Sequence, residues 1–158
     1  MPRMHARDIL IEPLEYLAPA RAVDGLTSEE AERRAQGAPH SIAEILAHLT
    51  FWQDWFCQRC AGISAPVVGR AADGWPAVPS GSWPDLHQRF LAGLQRAAAF
   101  ADCDAPITPP IDFPPLAAYT IRDAQVHMAI HNAHHLGQII LLRQMLGLWP
   151  PPGGSWTW

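Results

Sequence analysis

Charge is scarce in this chain of 158 residues, and neither sign dominates it. Asp, Glu, Lys and Arg make up 16% of the sequence, and the formal net charge is −4 with a pI near 6.0. A protein that grips a phosphate backbone needs a basic face, so nucleic acid is not an expected partner. Long apolar runs are also missing. No stretch approaches 18 uncharged apolar residues, so no membrane span is expected. Asp8, Glu12 and Glu15 interrupt the only apolar stretch near the N-terminus, and no secretory signal is expected there. Cysteine is rare: three residues cannot build a disulfide framework, and a reducing cytoplasm is the expected compartment. Alternating strand patterns and internal repeats are absent, which predicts a sheet content near zero.

What the sequence does have is apolar bulk and helix punctuation. Hydrophobic residues reach 49%. A single domain of this length buries roughly 70% of its unfolded surface, enough for a core without staples. Thr27-Ser28-Glu29-Glu30 forms a capping-box pattern that predicts a short polar helix to about Gln36. Ser41-Ile42-Ala43-Glu44 predicts a second helix, running to about Ala61 and stopping at Gly62. Ser82-Trp83-Pro84-Asp85 opens a third, to about Cys103, with Pro84 tolerated in its first turn. Thr120-Ile121-Arg122-Asp123 opens a fourth that ends at Gly147. Ile9, Leu10, Leu14 and Leu17 suit a further N-terminal helix, kinked at Pro13. The segments 63–81 and 104–119 read as loops. The expectation is an all-α four-helix bundle with long connecting loops over residues 1–148, followed by a Pro/Gly/Trp-rich tail at 149–158.

Eight histidines are present, and His127, His131, His134 and His135 fall in the last predicted helix. Helical residues four apart share a face, with Cβ atoms about 6 Å apart. His131 and His135 therefore project together, as two imidazoles on one cation require. The helical zinc-protease motif uses the same pair, but it needs Glu after the first His, and Asn132 stands there instead. His48 borders the apolar face Ile42, Ile45, Leu46, Leu49, Trp52 and Phe56, and is the natural third ligand. Three protein ligands leave a coordination position open for water or substrate, the arrangement of a reactive site. His134 could replace His135, and His127 could be a fourth ligand or an outer partner. Gln138 and Glu44 could orient a ligand, and Glu44, one turn before His48, is also a candidate general base.

Plainer readings stand beside these. A lone buried His is ordinarily a hydrogen-bonded core residue, and Glu44 is more simply the acidic half of a capping box. Cys57 and Cys60 have knuckle-like spacing, but only Cys103 is left to pair with them, so they read as ordinary helical thiols. Trp75 and Trp83 flank the middle loop and could line a pocket. Trp149, Trp156 and Trp158 belong to the tail, laid back on the bundle or serving as a dimer contact or lid.

The run His40-Ser41-Ile42-Ala43-Glu44-Ile45-Leu46-Ala47-His48-Leu49 resembles the first metal motif of the DinB/YfiT-like superfamily. His131-Asn132-Ala133-His134-His135-Leu136-Gly137-Gln138-Ile139 resembles the second. The likeness extends from about Ala6 to Gly147. It implies a four-helix bundle, nickel or zinc on His48, His131 and His135, and often a homodimer. It favours His135 over His134. Some members transfer low-molecular-weight thiols such as bacillithiol or mycothiol, and others are metal-dependent isomerases or hydrolases. The resemblance thus implies a metal-dependent enzyme acting on a small molecule, a thiol transferase first, with a hydrolase on the same site or a non-enzymatic metal- or ligand-binding helical dimer as the alternatives.

Overall fold

Capping chemistry decides where the helices begin. The computed structural model describes residues 6–11, 17–100 and 104–155. Its helices are α1 (Ala6–Ile11), α2 (Pro19–Ala22), α3 (Ser28–Glu32), α4 (Ile42–Cys60), α5 (Trp83–Ala99) and α6 (Ile121–Met145), with single 3₁₀ turns at Ala71–Gly74 and Pro114–Leu116. At the head of α4, the Ser41 hydroxyl accepts the Glu44 N–H at 3.2 Å and the Glu44 carboxylate accepts the Ser41 N–H at 2.7 Å. Thr120 and Asp123 repeat the arrangement for α6, and Thr27 and Glu30 for α3. Each such cap contributes about 1 kcal/mol. Gly62 and Gly147, at φ +78° and +71°, take the left-handed conformation just past the ends of α4 and α6.

Among the described residues the chain is all-helical, with no strand and one isolated bridge between Pro106 and Thr120. No described helix is long and apolar enough to cross a membrane. Among the described residues three helices are long, and the short helix opened at Thr27 ends at Glu32 rather than at about Gln36. Arg33 turns extended at ψ 128°, and the Arg34 guanidinium then reaches the Pro39 carbonyl and Glu44. The helix begun at Ser82 stops at Ala99, where Phe100 is extended at ψ 142°. Pro13, Cys103, Trp156 and Trp158 lie outside the described residues.

Helix α4 packs on α5 and α6, and α1 packs on the same two helices. The core forms two clusters. One gathers Ile42, Leu46, Leu49, Phe90, Leu136 and Ile139; the other gathers Leu10, Trp55, Phe56, Ala97, Met128 and Ala129. Burying each large side chain contributes roughly 1.5–3 kcal/mol. The seam between the clusters falls between Leu49 and Trp55 on α4 and between Ala129 and Leu136 on α6, beside His48, His131 and His135. Two buried guanidiniums tie down irregular backbone. Arg59 donates to the Ile63 carbonyl of the first long loop and to the Pro109 and Pro110 carbonyls of the second. Arg143 donates to the carbonyls of Ala22, Asp24 and Leu148. The described part of the tail is held by Arg21, which donates to the carbonyls of Pro152 and Gly154.

Candidate metal centre

The α-helical repeat stacks His127, His131 and His135 along one face of α6, and α4 presents His48 opposite them. Ring centroids are 5.0 Å apart for His48 and His131, 4.8 Å for His48 and His135, and 4.7 Å for His131 and His135. One nitrogen from each ring falls in a group spanning no more than 4.8 Å. His48 Nε2 and His131 Nε2 face each other at 3.2 Å. Two imidazoles on one cation with bonds of 2.0–2.1 Å hold their nitrogens about 3.0–3.4 Å apart, so this pair is already at ligand spacing.

The donor chemistry fits a divalent cation. His48 Nδ1 lies 2.7 Å from the Gly74 carbonyl, which can only accept, so the ring proton sits on Nδ1 and Nε2 is left bare. His135 Nδ1 donates to Gln138 Oε1 at 2.8 Å, with the same consequence. The Gln138 amide nitrogen reaches His134 Nε2 at 3.3 Å, which fixes the amide's orientation. Both rings thus turn a lone pair toward the centre while an outer partner holds the other edge, as metal-binding histidines ordinarily require. Burial pushes all three imidazoles below their usual range, and His131 falls to about 3 because His135 and His48 also repel its charged form. They are neutral at pH 7, the form that binds metal.

Among the described residues only His48, His131 and His135 form such a group. His134 is exposed and bonded to Gln138. His127 sits one turn away against the Phe56 ring at 4.8 Å, with its Nδ1 3.0 Å from the Tyr119 hydroxyl. Glu44 gives one carboxylate oxygen to the Ser41 N–H, and both oxygens accept from Arg34 at 2.6 and 2.7 Å. His40 Nδ1 is a further 3.8 Å from that carboxylate. Cys57 is buried, its thiol pushed up to about 11, and it stands apart from the histidine group. Trp83 is buried, donating to the Leu26 carbonyl and stacked on His87, so it is a core residue rather than a pocket wall.

A cleft of about 530 Å³ opens beside His131. Tyr119, Val126, His127, Ile130 and His134 line it, with Arg122 and Asp123 also on its wall. Burial keeps His127 below the ordinary range and Tyr119 above it, so the first is neutral and the second a phenol at pH 7. The sequence gives little notice of Tyr119 or Gly74. A backbone carbonyl carries no residue signature, and one tyrosine before a helix looks like any other.

A family model described as the DinB superfamily matches residues 19–139. Comparison with curated proteins and with solved structures gives no match.

Proposed function

Because the chain belongs to the DinB superfamily, we propose that it is a divalent-metal-dependent enzyme using zinc or nickel, and that it transfers a low-molecular-weight thiol to a small electrophile. One observation carries the metal-dependent part of this reading: three neutral imidazoles from two helices converge, two of them with Nδ1 already engaged and Nε2 bare. A bound divalent cation supplies Lewis acidity that lowers the pKa of a thiol or water at its open positions.

The chain's own groups do the rest. Gly74 and Gln138 hold the His48 and His135 rings by their outer edges. The cleft beside His131 receives the electrophile against Val126 and Ile130. Proton transfer is assigned to His127 rather than to Glu44, whose carboxylate is held by Arg34 and Ser41. His127 Nδ1 lies 3.0 Å from the Tyr119 oxygen, and in the tautomer that carries its proton on Nδ1 the ring leaves Nε2 unprotonated to accept the thiol proton. Sulfur bonds to the electrophilic carbon, and the leaving group departs with the proton from His127.

The test is thiol consumption by zinc- or nickel-loaded protein offered bacillithiol or mycothiol and an alkylating electrophile. The expected result is metal-dependent loss of both reactants in equal amounts, abolished in His131→Ala. Cleavage of an ester or amide panel by the loaded protein, with no thiol consumed, would replace the transferase reading by a hydrolase.

A further inference from the structure

The connection between α4 and α5 runs from Ala61 to Ser82 and has almost no regular structure of its own, yet it reaches the metal centre at two adjacent residues. Gly74 offers its carbonyl to His48 Nδ1 at 2.7 Å. Trp75 stacks on the His48 ring with centroids 3.9 Å apart and planes 11° from parallel, and on the His40 ring at 3.9 Å and 12°. Two imidazoles cannot share one indole face at that spacing without overlapping, so Trp75 is sandwiched between His40 and His48. Its edge also meets the His135 ring at 5.9 Å. The loop backbone is seated closely: a Cβ on Gly74 would fall 2.9 Å from Trp52 Nε1.

These contacts act on a soft degree of freedom. The outer torsion of a histidine is broad, so an unsupported ring can turn either nitrogen, or neither, toward a cation. The indole face fixes the plane of the His48 ring, and the Gly74 carbonyl fixes which edge points inward. Resting on the metal-centre reading above, we propose that Gly74 and Trp75 are positioning residues for His48, and that docking of the 61–82 loop and binding of the cation are energetically coupled. Coupling of this kind is reciprocal: what the loop adds to metal affinity, the metal returns as loop order.

Two measurements test the proposal. The first is Co²⁺ affinity, by competition with a chromophoric chelator, together with the visible spectrum of the Co²⁺ form. Trp75→Ala is expected to bind roughly 10–100-fold more weakly than the parent with an altered spectrum, as for other outer partners of metal ligands. Trp75→Phe, which keeps an aromatic face, should recover most of the affinity and the parent spectrum. The second is trypsin cleavage after Arg70, whose side chain is 81% exposed within the loop. Saturating Zn²⁺ should slow this cut in the parent and lose that effect in Trp75→Ala. Parent-like Co²⁺ affinity in Trp75→Ala, or an Arg70 cut indifferent to Zn²⁺ in the parent, overturns the proposal while leaving the three-histidine centre standing. Parent-like affinity in His48→Ala overturns the centre itself. Should Trp75→Ala lose its helical circular dichroism, His40→Ala decides in its place. Weaker Co²⁺ binding then supports the clamp, and unchanged binding overturns it.

Discussion

The two long connections, 61–82 and 104–120, look alike in sequence but stand in different relations to the histidines. The first touches a candidate ligand directly, through the Gly74 carbonyl and the Trp75 ring on His48. The second reaches the neighbouring cleft, where Tyr119 meets His127, a histidine outside the ligand group. Arg59 pins both loops to the end of α4, so both are anchored at one point. On the proposed reading, the first loop governs whether a cation is held and the second governs what happens beside it. Damage to the first should appear in affinity, and damage to the second in turnover.

The largest expected effect lies on the turnover side. His127→Gln should lower kcat by roughly 100-fold or more, the ordinary range for loss of a general base, with Co²⁺ affinity unchanged. Tyr119→Phe should move in the same direction by less, since the imidazole remains. A parallel fall in metal affinity would break the division between the loops. On the affinity side, Gly74→Ala should weaken Co²⁺ binding by about 10–100-fold, because the new methyl pushes against Trp52 and shifts the carbonyl off His48. The same crowding should cost about 1–3 kcal/mol of stability, read as a lower midpoint in urea. A variant that is less stable yet binds Co²⁺ normally would show that the carbonyl is not what sets the ring.

The last effect is a pH dependence of the metal-free protein. Burial and the neighbouring imidazoles hold His131 near 3 in the folded state, against 6.5 as the ordinary value. The unfolded chain therefore binds a proton on His131 between those limits and the folded chain does not. Stability is fully present above about pH 6.5 and falls as the pH drops toward 3. In His131→Gln this slope should shrink, which urea midpoints at pH 7, 5.5 and 4.5 will register. Zn²⁺ should raise the midpoint at pH 7 and lose that effect in the acid range, where protons compete for the same nitrogens.

Much of this was legible because it is local. The capping pairs Ser41–Glu44 and Thr120–Asp123 lie three residues apart, so the starts of α4 and α6 follow from short-range hydrogen bonding. The juxtaposition of His131 and His135 follows from helical pitch, and the place of His48 follows from the apolar face beside it. The unread parts depend on distant partners. Arg34 reaches Glu44 from ten residues upstream, and nothing in the spacing distinguishes an anchored carboxylate from a free one. The Gly74 carbonyl meets His48 across 26 residues, and backbone groups have no letter in a sequence. The early ends of α3 and α5 fall at extended residues, Arg33 and Phe100, beside long-range hydrogen bonds from Arg34 to Glu44 and from Gln125 to the Phe100 carbonyl, which spacing does not reveal.

Metal content decides the matter most directly, because His48 and His131 are separated by 83 residues and share a cation only if the fold brings them together. Protein loaded with Zn²⁺ and dialysed against buffer should retain one equivalent per chain by elemental analysis, and His48→Ala, with parent-like helical circular dichroism, should retain none. One full equivalent in His48→Ala, or none in the parent, would contradict the convergence of these rings on a single ion.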